Sequence, residues 1–153
     1  MQLDRHWIES RIPHRHRMCL LDAVVSWDAA HVVCSATSHR DTENPLRAHG
    51  RLGAACGVEY AAQAMAVHGA LLASGDAPSG RGYIASVRDV AMHASRLDDV
   101  DADLAIEALR LAGDDNNILY QFSVRADGRD LLGGRAMVVL DATRLRRPAG
   151  NKA

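Results

Sequence analysis

Cysteine is scarce in this chain, and the three present exclude two common architectures. Cys19, Cys34 and Cys56 lie far apart with no Cys-x-x-Cys pair. That pattern suits neither a zinc knuckle nor a disulfide framework, and reduced thiols point to a cytoplasmic protein. Surplus charge is missing too. The 18 basic and 19 acidic residues leave a formal net charge of −1, whereas nucleic-acid binders usually carry a clear basic excess. There is no internal repeat and no low-complexity tract. The opening residues MQLDRHWIESRIPHRHR have no apolar centre of the signal-peptide kind.

One stretch nearly lacks charge altogether. Between Leu52 and Gly75 the sequence reads LGAACGVEYAAQAMAVHGALLASG, and Glu59 is its single formally charged residue. The run is long enough to raise the question of a membrane span. Its four glycines, its many alanines and the polar Glu59, Gln63 and His68 make it too weakly hydrophobic for one. A helix apolar on nearly every side belongs inside a protein. A carboxylate carried into that interior loses hydration, which raises its pKa toward the range useful for proton exchange. Glu59 is therefore the first candidate catalytic residue.

The 153 residues, 48% hydrophobic and 24% charged, form one ordinary soluble domain, taken as residues 1–143 with a basic tail at 144–153. Asp4–Ser10 reads as a short helix ended by Pro13. Met18–Ser26 and Val32–Ser38 read as strands, and His39–Gly50 as a loop. After the long helix come strands at Tyr83–Val90, Leu104–Ala112, Ile118–Val124 and Ala136–Leu140, with turns at Asp127-Gly128 and Gly133-Gly134. One buried helix among about six strands is an α+β pattern, best satisfied by an antiparallel sheet wrapped around the helix. The edge of such a sheet invites a second copy.

Several motifs, taken in order, resemble a known family. Ile12-Pro13-His14-Arg15 followed by Leu20-Leu21-Asp22, and the run Gly57-Val58-Glu59-Tyr60-Ala61-Ala62-Gln63-Ala64-Met65-Ala66, resemble motifs of 3-hydroxyacyl-[acyl-carrier-protein] dehydratases. The likeness is strongest to the dehydratase-like proteins of bacterial aryl polyene clusters. There it extends to Asn44-Pro45-Leu46-Arg47, His68-Gly69-Ala70-Leu71, Ala85-Ser86-Val87-Arg88-Asp89-Val90 and Leu119-Tyr120-Gln121-Phe122-Ser123-Val124. The resemblance implies a hotdog fold, a homodimer or a heterodimer with another hotdog subunit, and a 3-hydroxyacyl thioester substrate on acyl carrier protein or coenzyme A. From the residues themselves, no cofactor is expected, since no phosphate-binding glycine loop follows a strand. No metal is expected either, since Cys and acid spacing completes no site, and no nucleic acid or membrane. In that family the helix acid works with a histidine from the preceding loop of the neighbouring subunit. Here the position fourteen residues before Glu59 holds Pro45, which cannot be a base. His49, ten residues before the acid, takes its place as the candidate base, ahead of His39, which is expected to face solvent.

Dehydration requires a base for the α-proton, donors for the enolate oxygen and an acid for the departing hydroxide. Free backbone N–H groups at the helix start suit the enolate oxygen, which makes Gly50 and Gly53 candidate substrate contacts, with Asn44. Gln63, one turn past Glu59, is expected to hydrogen-bond the acid and to face the substrate. His14 is expected to order the entry to the first strand. Arg11, Arg15 and Arg17 read as a solvated surface able to dock an acidic carrier, and the acidic run from Asp98 to Asp103 reads as an exposed loop. Two other readings stay open: a thioesterase on the same fold, and a non-catalytic accessory subunit paired with an active dehydratase.

Overall fold

The computed structural model describes residues 3–73 and 82–140. Within them the elements are α1 (Arg5–Arg11), β1 (Ala23–Asp28), β2 (His31–Ala36), α2 (Gly57–Leu72), β3 (Tyr83–Met92), β4 (Leu104–Gly113), β5 (Asn117–Ala126) and β6 (Arg129–Val139). The six strands form one sheet in the order β1-β2-β4-β5-β6-β3, antiparallel at every pairing. α2 packs against β2, β4 and β5. This is the hotdog arrangement. The expected tail at 144–153 and the loop at 76–80 lie outside the described residues.

Strand alternation builds the core. Val32, Cys34 and Ala36 on β2, Leu104, Ile106 and Ala108 on β4, and Ile118, Tyr120, Phe122 and Val124 on β5 are all buried. They meet Tyr60, Ala61, Ala64, Met65 and Val67 of α2. Each large side chain removed from water stabilises the fold by about 1.5–3 kcal/mol. α1 starts on Asp4, whose carboxylate accepts from Trp7 N at 3.0 Å, and it ends at Ile12 before Pro13, a residue that cannot donate onward.

Several expectations need correcting. The long helix begins at Gly57, preceded by a 3-10 turn at Ala54–Cys56, so Glu59 sits in its first turn. At that start Gly57 packs closely on the sheet: a Cβ there would lie 2.6 Å from Leu132 Cδ2. β1 begins at Ala23; Asp22 N still bonds Ser35 O, and the residues before it are held by side chains. Leu20 N, for example, donates to Gln63 Oε1 at 2.8 Å. β6 runs straight through Gly133 and Gly134, which are no turn. A Cβ there would come within 3.0 Å of Phe122 O or 3.1 Å of Arg88 O, so these glycines mark close backbone approach beside a bulge in β3. The opposing strand is irregular there, with Asp89 at φ 56°. Asp98 is not simply exposed. Its carboxylate accepts from Leu52 N at 2.9 Å and pairs with Arg96, tying the segment before α2 to the β3–β4 connection.

His39 is fully buried, not solvent-facing. Its Nε2 lies 3.0 Å from both Val100 O and Ala102 O, so the proton sits on Nε2, shared between two carbonyls. His68, also fully buried, donates from Nε2 to Asp28 O at 2.9 Å, and its Nδ1 accepts from Tyr120 OH at 2.8 Å. Burial holds both rings below the ordinary value of 6.5. The unfolded chain therefore gains protons first as pH falls through 6.5, and stability declines from there until the folded rings also titrate. Urea midpoints should be flat above neutrality and fall through the mildly acidic range. A His68→Gln variant should lose part of that slope; an unchanged slope would show that His68 does not resist protonation.

Candidate active site at the start of the central helix

Glu59 points from the first turn of α2, where the helix N-terminus favours an anion. The side chain is 35% exposed, and its Oε2 lies 3.1 Å from Nε2 of His14, which is 26% exposed. Gln63, one turn along, donates from Nε2 to the same oxygen at 3.3 Å. The expected Glu59–Gln63 hydrogen bond is thus present.

The segment carrying His14 is pinned from two sides. Arg15 donates to the carbonyls of Glu9 and Ile12, folding the chain back on α1. Gln63 donates to Met18 O at 2.7 Å and accepts from Leu20 N. The residue that orients the acid therefore also anchors the strand of chain that presents the histidine. Among the described residues Nδ1 of His14 is buried with no hydrogen-bond partner, so the ring proton belongs on Nε2, directed at Glu59.

This geometry reverses the expected titration of Glu59. The hydrogen bond from His14 and, behind it, that from Gln63 outweigh desolvation and hold the carboxyl below its ordinary 4.5. The acid is half-buried at a cavity mouth with donors beside it, and it rests as a carboxylate. An apolar burial with no donors would have raised the value; the contact with His14, 45 positions earlier in the chain, decides the sign.

A cavity of about 720 Å³ opens beside this pair, within the usual size range of ligand pockets. On the helix side it is floored by Ala62, Met65, Ala66, Gly69 and Leu72, with Ala73 just past the helix end; Ile84, Ile118 and Val138 wall it from the sheet. Arg110, Asp114, Asp115 and Tyr83 give its other end polar character. Arg110 continues the inward series Leu104, Ile106, Ala108 on β4 and faces Tyr120 across the ladder, whose phenol burial pushes up to about 12.

The remaining candidates are placed elsewhere. His49 is exposed at the tip of a tight turn, with φ 54° followed by Gly50 at φ 76°. Ala48 and Arg51 exchange both backbone hydrogen bonds across it. Neither His49, Gly50 nor Gly53 lines the cavity of its own chain. Asn44 is buried and gives its amide to Ser38 O and Tyr60 OH, a structural knot with no face toward the cavity. Gln63 has both its N–H groups engaged, by Met18 O and Glu59 Oε2, and does not line the cavity. The helix-start donors expected to serve an enolate oxygen are also used: Ala54 N bonds Ser95 O, Cys56 N bonds Gly53 O, and Gly57 N turns back to the same 3-10 turn. His14 is the partner that sequence reasoning passed over. Its signal was the Ile12-Pro13-His14 motif, but nothing local shows which side chain it meets. Among the described residues no three His, Cys, Asp or Glu side chains converge as a metal set, and no helix is long and apolar enough to cross a membrane.

The sequence matches the model of the ApeP-like family, described as ApeP dehydratase, over residues 6–145. No curated protein sequence matches it. Among solved structures, the dehydratase heterocomplex ApeI:P from Xenorhabdus doucetiae superposes with a TM-score of 0.80 at 23% identity, covering 92% of this chain and 97% of that one. A mutant thioesterase from Pseudomonas aeruginosa superposes at 0.56 and 11% identity over 76% of this chain and 78% of that one. A thioesterase family protein from Silicibacter pomeroyi gives 0.56 and 13% over 76% and 81%. At these identities the structures establish the shared fold.

Proposed function

The chain belongs to the ApeP-like dehydratase family, and we propose that it converts 3-hydroxyacyl thioesters to trans-2-enoyl thioesters. The acyl group would be borne on acyl carrier protein, in fatty-acid-like or aryl polyene biosynthesis. The observation that carries this reading is the 3.1 Å contact between Glu59 and His14 at the mouth of an apolar cavity. A carboxylate held ionised is a base before it is an acid. Glu59 takes the C2 proton, the C2–H electron pair becomes the C2=C3 double bond, and the C3–O bond breaks. The proton now on the Glu59–His14 pair goes to the departing hydroxide, which leaves as water. The roles are thus exchanged relative to a histidine base and a carboxylic acid donor.

The sheet favours a paired enzyme. β3 is an edge strand of ten residues, and Tyr83, Val87, Val90 and Met92 on it are between 37% and 53% exposed. A long apolar edge of this kind is a pairing surface. A second hotdog subunit, identical or different, fits that surface, and the exposed His49 turn is then a candidate contribution to the neighbour's site. The purified chain, alone and mixed with a separate hotdog dehydratase subunit, should be given a 3-hydroxyacyl carrier-protein thioester. Enoyl absorbance is expected to rise with no release of free thiol. Thiol release would instead mark a thioesterase, and turnover arising wholly from the partner's acid would mark an accessory subunit.

A further inference from the structure

α2 carries two glycines, and they differ in what surrounds them. Gly57 packs closely, since a Cβ there would displace the end of the Leu132 side chain. Gly69 has no such reason among the described residues: a Cβ built on it meets none of them within 4 Å, and it lies within the regular helix. A glycine inside a helix costs about 0.5–1 kcal/mol relative to alanine, so an unpacked one calls for an explanation. Gly69 lines the cavity. It lies on the stripe Glu59, Ala62, Ala66, Gly69, whose alternating steps of three and four residues keep one helix face aligned, with Met65 and Leu72 lining the cavity beside it. The stripe runs from the reacting carboxylate along the cavity floor, and its side chains shrink to none at Gly69.

We infer that Gly69 sets the length of acyl chain that the cavity admits, by leaving open the space through which a long chain passes beyond Ala66. This rests on the acyl-thioester reading of the site. Ten residues separate Glu59 from Gly69, about 15 Å along the helix axis at the usual rise. That is the extended reach of an alkyl chain of roughly a dozen carbons at ordinary C–C bond lengths. Short 3-hydroxyacyl groups end before Gly69 and do not sense it. Long ones lie across it.

The test compares Gly69→Ala and Gly69→Leu with wild type, each as the full chain with its hotdog partner where turnover needs one. Two readouts are taken over 3-hydroxyacyl pantetheine thioesters of short and long chain: direct binding by calorimetry and, where present, dehydration rate. Gly69→Leu should weaken binding and kcat/KM for the long chain by more than about tenfold, leaving the short chain within about twofold. Gly69→Ala should change the ratio little and raise Tm, because it adds helix propensity without a clash. A Gly69→Leu variant that keeps the wild-type long-to-short ratio overturns the assignment, as does one that weakens both chains equally while remaining folded and correctly paired. Binding keeps the two readings separable. Length-selective binding that shifts in Gly69→Leu, with no dehydration by any form, retains the role of Gly69 and rejects the proposed reaction. An absence of acyl-thioester binding by wild type rejects both.

Discussion

Glu59→Gln should reduce dehydration by about 10²- to 10⁴-fold, the range for losing a positioned proton-transfer group. The amide has nearly the shape of the carboxylate, and the side chain is 35% exposed, so the fold and Tm should stay close to wild type. What disappears is the capacity to take a proton from C2. A folded variant with an undiminished rate would remove Glu59 from the mechanism. His14→Ala probes the same pair from the other side. His14 is the largest influence holding the Glu59 carboxyl low. Its loss should lower the rate and move the acidic limb of the pH–rate profile to higher pH, because the carboxylate then protonates sooner. His49→Ala serves as the contrast. That side chain is exposed and off the cavity of its own chain, so a loss matching that of His14→Ala would place the working base at a subunit interface.

Gln63→Leu should be the most damaging single change in stability near the site. Gln63 is fully buried, and its amide accepts from Leu20 N at 2.8 Å and donates to Met18 O at 2.7 Å. Leucine leaves the buried Leu20 N–H without a partner, at about 1–3 kcal/mol, and forfeits the part-buried bond to Met18 O, at about 0.5–1.5 kcal/mol. For a domain of this size the combined loss lowers Tm by roughly 6–15 °C. Activity should fall further than stability explains, since the freed segment carries His14. The acidic limb of the rate profile should also rise, because a donor to Glu59 is gone. Gln63→Met, with similar length and no hydrogen bonds, should behave alike. If either variant kept wild-type stability, the anchoring role of Gln63 would be lost.

Much of the architecture is legible in one dimension because its causes are local. Alternation at Val32–Ala36, Leu104–Ala108 and Ile118–Val124 marks strands whether or not their neighbours are known. The charge-poor run around Glu59 marks the central helix by composition alone. Local signals mislead where a residue answers to something distant. Gly133-Gly134 has the composition of a turn, yet it is a strand at which two other backbones come too near for a side chain. His39 has polar neighbours in sequence, yet two carbonyls sixty residues away accept its proton.

The site divides in the same way. That the acid on the central helix is the candidate reactive group follows from sequence, since a carboxylate among alanines and valines has no packing purpose. Its ionisation state does not follow. Desolvation pushes the pKa up and hydrogen bonds push it down, and which prevails depends on donors brought by the chain's path through space. His14 and Gln63 supply them, and the histidine stands 45 positions away from the acid it contacts. Composition and periodicity determined which elements exist and which side chain is the candidate for the chemistry. Tertiary structure decided which histidine faces it, in which direction its proton equilibrium lies and where the cavity beside it runs, because each of those is a sum over contacts that no stretch of sequence contains.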